Sequence, residues 1–286
     1  MTQNQGTGPF PGWLQAGTIL LLWGIVFLPV YPELWQTWMS SSNNSHGILV
    51  PFISGWLIWT KKEDLARVPR RHWRTGGLIL ALSLVVYLVA YAGQVAVLQR
   101  VMLVCSLIGL VMFNCGKAVM KILAFPLLFL FFMVPVPVSL HGLVAFPLQL
   151  FATGIARAMI QFMGLPVLQE GNMLYFARTH LEVAEACSGL RSMTAFFMLS
   201  VLFAYFMAPV WWRRGLLVLS AVPLAIAANI VRVTGTGILA HFFGARIARG
   251  FLHDFSGLAV FALGLGCLFL EFMLLNKDRP ARRKND

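Results

Sequence analysis

Three residues of this sequence, Cys187, Arg232 and His253, have the side-chain types needed for nucleophilic catalysis and lie in three separate short motifs. A thiol nucleophile needs a base or a cationic neighbour that holds it as the thiolate. Acyl transfer also needs a donor for the developing oxyanion and an acid for the leaving amine. A cysteine, an arginine and a histidine together can supply all of these roles.

Each of the three also has an ordinary explanation when it is taken alone. A cysteine in an apolar segment is usually a small filler, which is our interpretation of Cys105, Cys115 and Cys267. An arginine near a helix end can extend its charge to the interface, and a histidine there is often a solvated loop residue. The combination, and the local sequence around each residue, favours the chemical interpretation.

The local sequence around the cysteine and the arginine is organised. Cys187 lies in EACSGLRS (185–192), at the seam between a polar segment and an apolar run, so it is predicted to open a helix whose first N–H groups stabilise a thiolate. Asn229, Arg232 and Thr236 recur at spacings of three and four and share one helical face. An intramembrane arginine with polar neighbours of this kind is a functional-site candidate.

The composition identifies the elements that must position these residues as membrane helices. Of the 286 residues, 59% are hydrophobic and 11% are charged, whereas soluble domains carry about 25% charged residues. The net charge of +12 does not indicate a nucleic-acid partner, because the basic residues concentrate in the short segments 61–74, 213–214 and 277–284. Basic loops beside apolar segments are typical of the cytoplasmic side of a membrane. The sequence lacks HExxH, CxxC, P-loop and GxGxxG motifs, so we expect no metal and no nucleotide cofactor.

Apolar segments long enough to cross a bilayer predict an all-α polytopic membrane protein. Eight candidate spans cover residues 14–31, 47–60, 75–92, 97–113, 118–134, 188–208, 215–238 and 255–275. We expect one integral-membrane domain over residues 1–275, a basic cytoplasmic tail over 276–286, and both termini inside.

A ninth apolar stretch, 138–163, carries a polar stripe along one helical face, made of Gln149, Thr153, Arg157 and Gln161. It is either a spanning helix with a polar face against its neighbours or an amphipathic helix at the outer interface. The interfacial alternative is favoured because it leaves every basic loop inside.

This topology brings the three chemical residues to one depth near the outer surface. The predicted outer face contains residues 32–46, 135–187 and 239–254. Within it, the segment 164–187 alternates short apolar and polar pieces around Glu170, Gly171 and Asn172, which predicts a small hairpin or extended lid. Arg232 lies 17 residues after residue 215, about 25 Å along a helix, and so just below the outer headgroups.

The motifs EACSGLRS, NIVR (229–232) and HDFSG (253–257), with SHGILVP (45–51) and EGN (170–172) upstream, resemble those of the exosortases, a family of multi-spanning bacterial membrane proteins. The resemblance covers about residues 43–275. It implies a cysteine protease/transpeptidase in the inner membrane whose active site faces the periplasm. Its catalytic residues would be Cys187, Arg232 and His253.

The resemblance also implies the substrate and the fate of the product. The substrates of the family are exported proteins with a C-terminal sorting signal, which consists of a Pro-Glu-Pro motif, one transmembrane helix and a basic tail. After cleavage the product would pass to a surface or extracellular acceptor. Many members carry an acidic residue shortly before SHG, where this chain has Asn43 and Asn44, so the role of His46 stays open.

Several residues near the motifs are candidates for supporting roles: Glu185, Ser188, Arg191, Ser192, Asn229 and His46. Ser188 and Ser192 would cap the helix start or donate hydrogen bonds there, as ordinary helix-start residues also do. Arg191 would bind either a substrate carboxylate or a lipid headgroup.

Two alternatives from other functional classes remain open at this point. In a transporter or a polysaccharide-assembly protein, Arg157, Arg232 and His253 would bind an anionic substrate, and Cys187→Ala would keep most of the activity. In a membrane scaffold without chemistry, Cys187 would be unreactive.

Overall fold

The computed structural model describes residues 12–41, 43–69, 71–177, 179–183, 189–244 and 251–277, of which 12–13, 15–16, 138–141 and 251–256 are described by their backbone only. The chain divides into two compact units between Val136 and Pro137. Each unit is built mainly from apolar helices, as the composition predicts.

The first unit contains six α-helices and two 3₁₀ helices among its described residues. The α-helices are α1 (Gly12–Val26), α2 (Val30–Ser40), α3 (Leu49–Thr60), α4 (Lys62–Arg67), α5 (Arg74–Ala92) and α6 (Ala96–Phe129). The 3₁₀ helices are Ser45–Ile48 and Leu130–Met133. The pair α1 and α2 is bent by 73° at a short break.

Glycines allow α5 and α6 to pack closely as an antiparallel hairpin. A Cβ atom at Gly76 would lie 2.3 Å from the backbone nitrogen of Phe113, and one at Gly109 would lie 2.6 Å from that of Leu80. Lipid tails are as apolar as the helices, so close backbone approach is what holds such a pair together in a membrane. Gly116, at φ +82°, interrupts α6 with a non-helical residue.

The second unit contains a small sheet and four helices among its described residues. Helix α7 (Val138–Phe162) leads into strands β1 (Val167–Glu170), β2 (Met173–Phe176) and β3 (His180–Glu182), which pair in the order β1-β2-β3 and are antiparallel. Gly171, at φ +58°, begins the two-residue turn between β1 and β2, so the hairpin predicted around EGN forms. Helices α8 (Leu190–Phe206), α9 (Trp211–Phe243) and α10 (Phe251–Leu275) follow.

Two apolar clusters organise the second unit. In the first, Phe196 of α8 stacks on Phe261 of α10 at a centroid distance of 5.0 Å and packs with Ala221 and Ala225 of α9. In the second, the inner face of the sheet packs on α7 and on the C-terminal part of α9, with a core formed by Ala156, Ile160, Val167, Leu174, Phe176, Leu181, Val183, Val233 and Ala240. The sheet therefore covers one end of the helices, alongside the last turns of α9.

Polar contacts join the other end of the helices. The backbone N–H of Ala208 donates to Oδ1 of Asn276 at 3.1 Å, Arg213 donates to the carbonyl of Leu275 at 2.9 Å, and Ser220 donates to Glu271 at 2.6 Å. The connection between α8 and α9 is thus tied to the end of α10. The starts of α8 and α10 lie at the opposite end of this bundle.

The all-α polytopic architecture is confirmed, but the count of eight spans is not. Among the described residues, five helices are long and apolar enough to cross a membrane, or six if the bent pair α1 and α2 forms one span. Helices α3 and α8, with 12 and 17 residues, are shorter than the roughly 20 residues that a straight crossing needs. The predicted spans 97–113 and 118–134 lie on the two sides of Gly116, whose non-helical conformation divides α6, and the second span continues into the 3₁₀ helix Leu130–Met133.

Helix α7 corresponds to the stretch for which an interfacial position is favoured. Its residues Gly142–Phe162 are long and apolar enough for a span. Half of its polar stripe is enclosed by protein: Gln149 and Thr153 are buried, whereas Arg157 and Gln161 are exposed, and Gln161 donates to the carbonyl of Val167 at 2.9 Å. The buried half fits the spanning alternative, in which the polar face lies against neighbouring protein, while the interfacial position stays a prediction.

Candidate active site

Gly189 of the cysteine motif lies directly against Asn229 of the arginine motif. Gly189 precedes α8 and adopts φ +82°, a left-handed conformation that favours glycine. A Cβ atom here would lie 3.1 Å from both Cβ and Cγ of Asn229. Asn229 is buried, with 4% of its surface exposed. The absence of a side chain at Gly189 therefore allows the start of α8 to approach α9.

Arg232, one turn after Asn229 on α9, lies against α10. A Cβ atom at Gly257 would lie 3.2 Å from Cζ and Nη2 of the Arg232 guanidinium. Gly257 ends the motif HDFSG, so the arginine and histidine motifs are in contact. Thr236 shares this face, but its hydroxyl donates to the backbone carbonyl of Arg232 at 2.9 Å and thus to the helix itself.

The cysteine lies outside the described residues, as do Glu185 and Ser188. Cys187 precedes Gly189 by two residues in the sequence, and its place beside Asn229 and Arg232 stays a prediction.

His253 lies in the first turn of α10, whereas the sequence places the start of the last span at residue 255. It precedes Gly257 by four residues, so the two positions share one face of the helix. The His253 side chain lies outside the described part of the structure. The backbone therefore brings this position to the helix face that meets Arg232, while the catalytic roles of the three residues stay predictions.

A small cavity of about 10 Å³ adjoins Gly189 and Asn229, which is close to the space that one water molecule requires. It is lined by Leu148, Ala152, Gly189, Met193, Ala225, Ile226 and Asn229. A peptide cannot fit in this space.

The sheet is tied to the chain just before the cysteine motif. The side chain of Asn172, in the β1–β2 turn, donates to the carbonyl of Val183 at 3.3 Å, and the N–H of Val183 donates to the carbonyl of Asn172 at 2.9 Å. The side chain of Gln149 on α7 donates to the same carbonyl of Val183. Sequence reasoning found the stripe that contains Gln149 and the EGN turn, but it did not connect either with the cysteine motif.

The remaining candidates occupy more ordinary positions. The hydroxyl of Ser192 donates to the carbonyl of Gly189 at 2.9 Å and so supports the helix start. Arg191 and Arg157 are exposed. His46 lies in the 3₁₀ helix Ser45–Ile48 of the first unit, where burial lowers the pKa of its imidazole and a hydrogen bond with the Asn43 backbone partly opposes that effect.

The apolar helices and the polar contacts at the ends of α8 and α10 define a polytopic helical membrane protein with its candidate site at one end of a helix bundle. The family model for transmembrane exosortases matches residues 38–270, and the chain belongs to this family. The resemblance inferred from the motifs is thereby confirmed. Neither the curated proteins nor the solved structures contain a match to this chain.

Proposed function

We propose that this protein is a membrane cysteine protease/transpeptidase that cleaves the C-terminal sorting signal of exported, membrane-anchored proteins. The observation that carries the proposal is the pair of glycine contacts, Gly189 with Asn229 and Gly257 with Arg232, which bring three distant motifs to one place. Membership of the transmembrane exosortase family supports the same activity.

In the proposed reaction, the Cys187 thiolate attacks the carbonyl carbon of the scissile peptide bond. A bond forms between sulfur and carbon, and the negative charge that develops on the carbonyl oxygen is stabilised by the Arg232 guanidinium. The peptide C–N bond then breaks, and His253 donates a proton to the departing amine. The remaining thioester is attacked by water, or by the amine of an acceptor, which restores the thiol.

The position of the site supports a substrate of this kind. The site lies at an end of apolar helices, so it meets a chain where that chain leaves the bilayer. A Pro-Glu-Pro motif fits this place, because proline keeps the chain extended and exposes the carbonyl. The substrate's own helix would pack beside the spans, and its basic tail would stay in the cytoplasm. We place the protein in the bacterial inner membrane with the site facing the periplasm.

The decisive experiment follows a reporter protein with a Pro-Glu-Pro motif, a transmembrane helix and a basic tail in cells that express variants of this chain. We expect Cys187→Ala to leave the reporter at its full, anchored length. Cys267→Ala is the matched control, because Cys267 is an exposed cysteine of α10 far along the helix from Gly257. Normal processing with Cys187→Ala would refute the proposal and favour a transporter or assembly protein. Mass spectrometry of the new C-terminus would separate hydrolysis from transfer.

A further inference from the structure

The carbonyl group of Val183 is held by two side chains from different elements. Gln149 of α7 and Asn172 of the β1–β2 turn both donate to it. Val183 is 2% exposed and Gln149 is 6% exposed, so this is a buried arrangement. The N–H of Val183 is also used, since it donates to the backbone carbonyl of Asn172.

These bonds lie where the sheet ladder ends. Strand β3 closes at Glu182, so the backbone of Val183 has no further strand partner within the described sheet. A buried backbone group without a partner is costly, and a carbonyl oxygen can accept two hydrogen bonds. Gln149 and Asn172 occupy both acceptor positions, which fixes Val183 against α7 and against the hairpin at once.

Along the chain, Cys187 thus lies between two residues that the structure describes, Val183 and Gly189. Val183 precedes the cysteine by four residues, and Gly189, fixed against Asn229, follows it by two. We propose that Gln149 and Asn172 are positioning residues that set where the chain enters the cysteine motif and so hold Cys187 at Arg232. This inference rests on the proposed function, because it assigns a role toward the same nucleophile.

The chain offers a matched control for this role. Gln161 lies on the same helix as Gln149 and also donates to a backbone carbonyl of the sheet, that of Val167 at 2.9 Å. Val167 begins β1, at the edge of the sheet that is far in sequence from Cys187. Gln161 is exposed whereas Gln149 is buried, so loss of Gln149 should cost more stability, and only a loss of kcat in variants that accumulate normally counts toward the positioning role.

The test compares Gln149→Met, Asn172→Asp and Gln161→Met in the full-length protein in nanodiscs, with the Pro-Glu-Pro reporter as substrate. The Met variants keep the length of the side chain and remove its donor, and Asp is nearly isosteric with Asn but cannot donate. We expect kcat to fall on the order of 10²-fold for the first two variants with KM little changed, because a shift of about 1 Å at a reacting group has an effect of this size. Gln161→Met should keep a kcat close to that of the wild type.

A second readout does not depend on the substrate. In protein whose Cys105, Cys115 and Cys267 are replaced by serine, the rate of Cys187 alkylation by iodoacetamide should change in Gln149→Met and Asn172→Asp but not in Gln161→Met. Equal effects of Gln149→Met and Gln161→Met on both readouts would overturn the inference. So would the failure of Gln149→Met and Asn172→Asp to accumulate in the membrane while Gln161→Met accumulates, since the role would then be structural.

The two proposals fail in different ways. If Cys187→Ala still processes the reporter, the proposed catalytic function is wrong, whatever the alkylation rates show. If Cys187→Ala is inactive but the glutamine variants behave alike, only the positioning role is wrong.

Discussion

Replacement of Gly257 by alanine should separate stability from activity. The new Cβ atom would lie 3.2 Å from Cζ and Nη2 of Arg232, whereas unstrained contacts of carbon atoms lie at about 3.5–4.0 Å. The guanidinium must therefore retreat by about 0.5 Å. It is the far end of a flexible side chain, so the movement costs little, and alanine in a helix gains about 0.5–1 kcal/mol over glycine. The free energy of unfolding should stay the same or rise.

Activity should fall in the same variant. A displacement of about 1 Å near a reacting centre can cost on the order of 10²-fold in rate, so about half that displacement should cost on the order of 10-fold. The assay is the rate of reporter cleavage by purified protein, with thermal unfolding measured on the same sample.

Gly266→Ala is the matched control for this prediction, because Gly266 lies on the same helix and its Cβ would have nothing within 4 Å. It should show the helix-propensity effect without loss of rate. If Gly257→Ala cleaves the reporter as fast as Gly266→Ala, the guanidinium of Arg232 does not act from the position that Gly257 defines, and the oxyanion assignment has to be withdrawn.

Four further outcomes are expected. Arg232→Lys keeps the charge but loses the planar array of donors, so reporter cleavage should slow on the order of 10²-fold or more; a rate near that of the wild type would make the arginine structural. Gly189→Ala forces a side chain into φ +82° and against Asn229, which should lower the free energy of unfolding by about 1–2 kcal/mol in denaturant titrations. The lowered pKa of His46 means that the unfolded chain binds its proton more readily; its contribution to stability should be present above pH about 6.5 and be lost as the pH falls through the folded pKa. Thermal unfolding should show this loss in the wild type but not in His46→Gln. A cysteine introduced at position 170, in otherwise cysteine-free protein, should react with an impermeant maleimide from outside the cell, and reaction from the cytoplasmic side alone would contradict the predicted topology.

Some elements of this protein could be predicted from sequence because residues close together in the chain determine them. The hairpin at Gly171 follows from a glycine that tolerates positive φ, flanked by short alternating segments. The shared face of Asn229 and Arg232 follows from helical spacing. Counting residues along the successive predicted spans puts Gly257 and Arg232 near the same membrane surface. The contact between these two residues in the structure agrees with that count.

The features that sequence reasoning missed depend on partners distant along the chain. The stripe on α7 has a clear period, but the period does not reveal that Gln149 binds the backbone of Val183, 34 residues away. The break predicted between the spans 97–113 and 118–134 agrees with the non-helical conformation of Gly116 inside α6, while the count of eight spans stays a prediction. Helix α10 begins at Phe251, four residues before the predicted span 255–275, because the polar residues of HDFSG form the first turns of the helix although their hydropathy resembles that of a loop.

If α10 tilts, the hydrogen bonds of Ala208 and Arg213 to its end would make that end the pivot of the movement. Gly257 lies 18 residues before Leu275, about 27 Å along the helix. A tilt of about 1° around the pivot then moves Gly257 by about 0.5 Å, the same distance that the extra methyl group of alanine imposes. Helices respond to a thinner or thicker bilayer by tilting. If α10 tilts in this way, lipids of different acyl-chain length should change the distance between Gly257 and Arg232, and under the proposed function they should change the rate of cleavage.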